Sequence, residues 1–202
     1  MKKNVILYPV LLCAAGISTG VTAAPVQWAD NGHWYEYIST QVDWDTARSD
    51  ALASSYNGLS GYLVTITSAD EQDFLMSVFG SVLAWAGGSD EWDPSSENDE
   101  GSWQWMDGPE AGQTFWDDNG TYVTYANWSP NEPNNCCGGE DYLVYGWNNG
   151  RWNDHGGPGN AYYQVGYIVE YGANTPNVPE PALSLLLGGA LGALGWYRRR
   201  RP

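Results

Sequence analysis

Two short polar segments in the second half of the chain constrain the fold more than any other feature of the sequence. The first reads Glu132-Pro133-Asn134-Asn135, the second reads Trp152-Asn153-Asp154, and Glu140 and Asp141 lie between them. Carboxylate and carboxamide oxygens grouped on loops are the ligands that calcium prefers, and one ion takes about six to eight of them. The sequence therefore predicts a fold in which loops gather around a bound cation.

The rest of the chain indicates an α+β fold with a heavily looped second half. Apolar residues at helical spacing predict helices over 43–54 and after Ser68, where Glu71 occupies the capping-box position. Strands are predicted over 33–39, 61–66, 142–147 and 167–171. Long loops are functional or disordered as a rule, and the dense Trp and Tyr content between the last helix and residue 152 argues against disorder.

Charge and composition exclude two classes of protein. Six of the eight Lys and Arg residues lie at the chain ends, so residues 24–177 carry two arginines against 23 carboxylates, a formal charge of −21. A nucleic-acid binder needs a basic surface and is excluded. A disordered chain is excluded because 43% of the residues are hydrophobic, with 12 Trp and 14 Tyr. A folded body this acidic repels itself, which favours a high-salt environment or bound divalent cations.

The N-terminal residues are typical of a cleavable secretory signal. Lys2 and Lys3 precede an apolar run over 5–17, and small residues lead to Ala23. We therefore expect a signal peptide over 1–23 and an exported mature chain. Residues 24–174 are then long enough for one domain with a full hydrophobic core.

The C-terminal segment 175–202 has the parts of a membrane-sorting tail. A Pro179-Glu180-Pro181 motif precedes an apolar stretch over 182–197, which is shorter than the roughly 20 residues that span a bilayer core. Four arginines, Arg198 to Arg201, follow it and should hold that end in the cytoplasm. This tail resembles the PEP-CTERM sorting tail of exported bacterial proteins. The resemblance implies cleavage by an exosortase and transfer of the body to the cell surface or extracellular matrix; the alternative is a permanent short transmembrane anchor.

Residues over about 30–172 resemble the C-type lectin domain. The resemblance rests on the E-P-N tripeptide at 132–134, Glu140 eight positions after Glu132, and the W-N-D triplet at 152–154. It continues in Trp44 with Ala47, in 63–66, in 86–89, and in the tryptophans Trp103, Trp105 and Trp128. It implies a C-type lectin-like fold with two helices, short antiparallel sheets and a long calcium-binding loop region. It also implies that these tryptophans and Trp152 belong to the core.

The resemblance implies two calcium sites and one sugar site. The principal Ca2+ site would consist of Glu132, Asn134, Glu140, Asn153 and Asp154. A possible auxiliary site would consist of Asp90, Glu100, Asn135, Asp141 and the Glu140 carbonyl, although residues 91–99 look like an insertion. A cis Glu132–Pro133 bond would turn the side chains of Glu132 and Asn134 toward one ion.

The sugar would bind to the principal ion through two neighbouring hydroxyls. Each hydroxyl would donate to a glutamate and accept from an asparagine amide, so Glu132 and Asn134 hold one while Glu140 and Asn153 hold the other. In the family, the E-P-N order accompanies mannose-type sugars, which have equatorial vicinal hydroxyls.

The chain differs from the family in its cysteines and leaves both histidines without a predicted role. The two usual disulfides fall on Ala51 with Val169 and on Tyr142 with about Gly157. The mature chain has only the adjacent Cys136 and Cys137, which could form a disulfide, an intermolecular bridge or two free thiols in an oxidising compartment. His33 and His155 have no Cys or carboxylate at zinc spacing, so we expect both to be bystanders.

Three functions fit these observations, and the sequence favours one. The leading interpretation is calcium-dependent binding of a polysaccharide or glycan by an exported protein that is not an enzyme. The first alternative is a lectin-like structural or protein-binding matrix component. The second is a glycoside hydrolase, which needs two carboxylates with separated pKa values, and the sequence identifies no such pair.

Overall fold

The fold is organised around one branched sheet. The structure is a computed structural model, and it describes residues 24–91, 101–117, 124–157 and 162–173. Within those ranges the chain forms ten strands, all in the same sheet, and three helices. The predicted signal segment, the sorting tail and Glu100 lie outside the described residues. In chain order the elements are β1 (Val26–Gln27), β2 (Trp34–Val42), α1 (Trp44–Ala53), β3 (Ser55–Tyr56), β4 (Leu59–Leu63), α2 (Ala69–Phe79), β5 (Ala84–Ser89), β6 (Ser102–Trp105), β7 (Thr114–Asp117), the 3-10 turn Cys136–Gly138, β8 (Tyr142–Gly146), α3 (Trp147–Gly150), β9 (Arg151–His155) and β10 (Val165–Gly172).

Strand β10 joins the two halves of the sheet. It pairs antiparallel with β2 and β4 and parallel with β5, where Gly166 lies beside Ala84 and Tyr167 beside Trp85. Strand β5 also pairs with β6 and β8, and β8 pairs with β9; all three pairings are antiparallel. The predicted α+β class is confirmed. The successive pairing of β10, β5, β8 and β9 connects the centre of the sheet to the loop region. The W-N-D triplet lies on β9, so the sheet fixes its position.

Both predicted helices are present, and each begins at its expected cap. Asp43 accepts a hydrogen bond from the Thr46 amide at 2.8 Å at the start of α1, and Ser68 accepts from the Glu71 amide at 3.1 Å at the start of α2. Such caps stabilise a helix by about 1 kcal/mol. The Glu71 carboxylate accepts from the amide of Thr67 at 2.8 Å, so it contacts the residue before the cap.

The tryptophans of the second half belong to the core, as the resemblance implies. Trp103, Trp105 and Trp152 are at most 1% exposed, and Trp128 is 8% exposed. Trp105 stacks on Phe115 with ring centroids 4.1 Å apart. Burying a large side chain of this kind contributes about 2–3 kcal/mol. These rings therefore stabilise the looped half and are not available as sugar-stacking surfaces.

Packing replaces both disulfides that the family would carry. Ala51 and Val169 are buried in the same core cluster, which also contains Trp44. Tyr142 stacks on Trp44 at 4.5 Å with an interplanar angle of 6° and pairs in register with His155. The base of the loop region is thus held to α1 by aromatic contact. No helix within the described ranges is long and apolar enough to cross a membrane.

Candidate metal centre in the loop region

The structure brings the E-P-N segment against strand β9. The amide of Ser129 donates to the Trp152 carbonyl at 2.8 Å, and the Trp152 amide donates to the Asn127 carbonyl at 2.9 Å. These bonds fasten the start of the loop to the strand that carries Asn153 and Asp154. The Glu132–Pro133 peptide bond is cis, as expected.

Asp154 is the anchor of the loop. Its side chain is fully buried, and Oδ2 accepts from the amides of Asn134 at 2.8 Å and Asn135 at 2.7 Å. The other oxygen, Oδ1, is buried without a hydrogen-bond donor in the part of the chain that the structure describes. Because an unsatisfied buried carboxylate oxygen is costly, this atom is a candidate ligand for a cation.

The other members of the predicted principal set surround the same place. The Asn134 amide donates to Glu132 Oε2, and the Asn153 amide donates to the Asp154 carbonyl. Glu140 Oε2 accepts from the Cys136 amide at 3.1 Å. A pocket of about 300 Å3 is lined by Glu132, Asn134, Glu140 and Asn153 together with Cys136, Cys137, Trp147 and His155.

The electrostatics of this cluster indicate a shortage of positive charge. Partial burial and the neighbouring charges of Asp154 and Glu140 raise the pKa of Glu132 to about 7. Burial and Asp154 also raise the pKa of Glu140. His155 Nδ1 lies 3.4 Å from Glu140 Oε1, but burial lowers the pKa of His155, so it is a poor counter-charge near neutral pH. A bound divalent cation would relieve the repulsion among the carboxylates.

The donor set fits calcium only when the amide oxygens are included. In the described ranges, no three His, Cys, Asp or Glu side chains form a group that could hold a metal by themselves. The oxygens of Asn134 and Asn153 would complete a set with Glu132, Glu140 and Asp154, and hard oxygen ligands of this mixed kind suit calcium. The open Asp154 Oδ1 supports the fit.

The predicted auxiliary set is only partly brought together. Asp90 and Asp141 are adjacent, because the Asp90 amide donates to the Asp141 carbonyl at 3.3 Å, and both residues are buried. Asn135 Oδ1 accepts from the Glu140 amide at 2.9 Å, which shapes the turn before β8. Glu100 lies outside the described residues, so the full set stays a prediction.

Both histidines make specific contacts that the sequence did not suggest, while their expected lack of a metal-binding role stays a prediction. His155 lines the loop pocket and stacks on Tyr163 at 3.6 Å. His33 Nδ1 lies 2.6 Å from Glu170 Oε1, at a second pocket of about 440 Å3 that is also lined by Glu71 and Glu110. The only signal for this second cluster was a glutamate at 170 within an otherwise apolar strand.

The second cluster is a hydrogen-bonded network of polar side chains between α2 and β10, with Glu71 on the helix and Glu170 on the strand. The Tyr35 hydroxyl donates to Glu71 Oε1 at 2.6 Å, and Glu170 Oε2 accepts from the Thr65 amide at 3.1 Å. Burial, and then the charge of Glu170, raise the pKa of Glu71 to about 7. The hydrogen bond to Glu170 raises the pKa of His33. The folded domain therefore holds protons here that an unfolded chain would release.

We expect this protonation to make the calcium-free domain more stable at pH 5.5 than at pH 8. Glu71 titrates near 4.3 when unfolded, so stability falls as pH rises from there through about 7, and His33 acts in the same direction. Glu132 and Glu140, whose pKa values are also raised in the calcium-free domain, act in the same direction, and His155 opposes it. We expect a loss of about 2 kcal/mol from Glu71, or several degrees in Tm.

Thermal melts in chelator at both pH values measure this difference. Glu71→Gln is the matched variant, because it has no titrating group, its carbonyl can still accept from the Thr67 amide, and its NH2 group can donate to the Tyr35 hydroxyl oxygen. Its Tm should depend less on pH. Identical pH dependence in the two proteins would contradict the prediction.

Comparison with known families gives two matches. The model described as the lectin C-type domain matches residues 41–163. The PEP-CTERM protein-sorting motif matches residues 177–201, inside the predicted tail. The second match indicates export and C-terminal sorting.

Relatives with similar sequences share this central region. Halomucin of Haloquadratum walsbyi is 40% identical over 148 residues, covering 73% of this chain and 2% of the relative. Human C-type lectin domain family 10 member A is 32% identical over 147 residues, covering 68% of this chain and 38% of the relative. The chain thus spans well under half of either protein.

Solved structures show the same fold. The C-type lectin CEL-I from Cucumaria echinata aligns with a TM-score of 0.52 and 24% identity over 74% of this chain and 97% of its own. The human scavenger receptor C-type lectin carbohydrate-recognition domain aligns with a TM-score of 0.52 and 21% identity over 72% of this chain and 94% of its own.

Proposed function

Since this chain belongs to the C-type lectin family, we propose that it binds carbohydrate through a calcium ion held in the loop region. Members of this family are binding proteins rather than enzymes, and their general role is carbohydrate binding. The family is typically calcium-dependent. The residues present in this chain suit that role.

One observation carries the calcium part of the proposal. Asp154 is buried, and one of its carboxylate oxygens has no hydrogen-bond donor among the described residues; the pKa of the nearby Glu132 is raised to about 7. Two carboxylates in contact without a counter-charge are unfavourable unless a proton or a cation lies with them. Glu132, Asn134, Glu140, Asn153 and Asp154 would hold the ion.

The same residues would recognise the sugar. When bound, calcium offers coordination positions to two vicinal hydroxyl groups. Glu132 and Glu140 would accept hydrogen bonds from those hydroxyls, while the amides of Asn134 and Asn153 would donate to them. All four side chains line one pocket, which supports a shared role. The carboxylate-then-amide order at 132 and 134 favours mannose-type sugars with equatorial hydroxyls.

A glycan array probed with the mature protein, with calcium and then with chelator, tests this function. We expect signals on mannose-, glucose- or N-acetylglucosamine-bearing glycans that disappear in chelator. Signals that persist in chelator would contradict the calcium-bridged mode. An empty array would favour a protein-binding or structural role in the matrix, and release of sugar products would favour a hydrolase.

We also propose how the chain is processed. Residues 1–23 would be removed as a signal peptide, 24–174 would form the lectin domain, and 175–202 would be held in the membrane and cleaved by an exosortase. The match to the sorting motif over 177–201 supports this. The released protein should then end near Pro179, and an intact mass that still includes Pro202 would contradict cleavage.

A further inference from the structure

Cys136 and Cys137 form a disulfide in the wall of the loop pocket. The bond joins consecutive residues in the 3-10 turn Cys136–Gly138. Both cysteines line the pocket that Glu132, Asn134, Glu140 and Asn153 also line. The disulfide therefore lies beside the side chains that would hold the sugar hydroxyls.

The disulfide gives this polar pocket an apolar surface. Its two sulfurs and two methylene groups carry no strong hydrogen-bonding atom. Cys136 is half-buried and Cys137 is exposed, so this surface is accessible from solvent. A sugar ring presents C–H groups as well as hydroxyls, and binding sites combine apolar walls with a few placed polar groups. Trp147 and His155 supply further apolar surface in the same pocket.

The disulfide also holds the backbone that orients two of the proposed ligands. The Cys136 amide donates to Glu140 Oε2 at 3.1 Å, and the preceding Asn135 amide donates to Asp154 Oδ2 at 2.7 Å. Cys137 has φ 64°, in the left-handed region that residues other than glycine rarely adopt. Gly138 and Gly139 follow, also with positive φ. A covalent link across residues 136 and 137 restricts this turn, which two adjacent glycines would otherwise leave free.

We propose that the Cys136–Cys137 disulfide is part of the glycan site, as an apolar wall and as a restraint on the turn, and that it affects glycan affinity more than calcium affinity. This inference rests on the proposed lectin function. Reduction by a dithiol breaks the S–S bond and forms two S–H groups, while the reductant is oxidised to its own disulfide. The oxidised form should therefore bind glycan more tightly than the reduced form. Disulfides persist in the oxidising environment that an exported protein meets.

Two double variants test the proposal on the mature protein with mannosylated albumin as the probe. Cys136→Ser with Cys137→Ser removes the bond and makes the wall polar, and it should weaken binding about 10-fold. Cys136→Ala with Cys137→Ala removes the bond but keeps an apolar surface, so it should weaken binding less. Dithiothreitol should weaken the wild-type protein and leave both variants unchanged. Calcium affinity, measured by titration calorimetry, should change by less than about 3-fold.

The outcomes separate this inference from the lectin function itself. Wild-type affinity for mannosylated albumin in the serine variant would overturn the role of the disulfide and leave the lectin function intact. A parallel loss of calcium affinity would also overturn it, because the disulfide would then only build the metal centre. A wild-type protein that binds calcium but not mannosylated albumin would overturn the mannose-type proposal together with this one.

Discussion

The double substitution Glu132→Gln with Asn134→Asp is expected to abolish binding to mannose-type glycans while calcium stays bound. It keeps one carboxylate and one amide at the same two positions, so the number of oxygen ligands and the charge are unchanged. The hydrogen bond from Asn134 to Glu132 is reversed in direction. In the wild type, a sugar hydroxyl would donate to the Glu132 carboxylate and accept from the Asn134 amide. In the variant, the amide is at 132 and the carboxylate at 134, so neither hydrogen bond can form in the same geometry.

We expect the affinity for mannose-type glycans to fall at least about 30-fold, because two hydrogen bonds to each sugar are left mismatched. A single site of this kind binds a monosaccharide only at about millimolar strength, so the measurement needs a multivalent glycan surface. Calcium binding is followed separately by titration calorimetry.

A charge-neutral swap elsewhere controls for nonspecific effects of exchanging acid and amide. Asp73→Asn with Asn57→Asp changes two exposed positions, one on α2 and one in the turn between β3 and β4. It should leave glycan and calcium binding unchanged. If the E-P-N swap retains both calcium and mannose binding, the sugar is not held at this ion.

Calcium removal is expected to destabilise the domain by the largest margin of any change of condition. A ligand that binds only the folded state stabilises it by about 2.7 kcal/mol at 100 times its Kd. For a domain of this size that corresponds to several degrees in Tm, so calorimetric melts in calcium and in chelator should differ by about 5–10 °C. Equal melting temperatures, with no heat on adding calcium, would rule out the metal centre.

Asp154→Ala should remove this calcium effect and lower the basal stability as well. Asp154 is fully buried and accepts from two backbone amides, so its loss leaves both donors without their acceptor. We expect a cost of about 2–4 kcal/mol in chelator and no gain on adding calcium. Asp154→Asn keeps an acceptor for the amides and should recover part of the basal stability only. Asp73→Ala, at an exposed position, should match the wild type in both conditions.

Features encoded by neighbouring residues could be predicted from the sequence. Helix α1 begins after Asp43 and α2 after Ser68 because each supplies an oxygen to an amide three residues later. Four tryptophans were correctly predicted as core residues: Trp103, Trp105, Trp128 and Trp152. The five proposed calcium ligands could be identified as a set because their spacing resembles a known family.

Contacts between distant residues could not be predicted in the same way. The Glu71 carboxylate, at the expected capping-box position, accepts from the Thr67 amide and also from the Tyr35 hydroxyl, which is 36 residues away. His33 contacts Glu170 across 137 residues, and neither has a neighbour in sequence that signals the pair. Replacement of one family disulfide by the stacking of Tyr142 on Trp44 likewise depends on strands and helices that meet only in the folded chain.

The sequence by itself determined the class of the fold, the positions of its two main helices and the kinds of atom gathered in the loops, because these depend on local spacing and residue type. Only the tertiary structure decided that one oxygen of Asp154 would be anchored by the loop and the other would have no donor within the described ranges. It also placed the Cys136–Cys137 disulfide in the wall of the same pocket. Both depend on how the loop folds back onto β9, and hydrogen bonds and burial at that contact are set by three-dimensional packing rather than by any one segment.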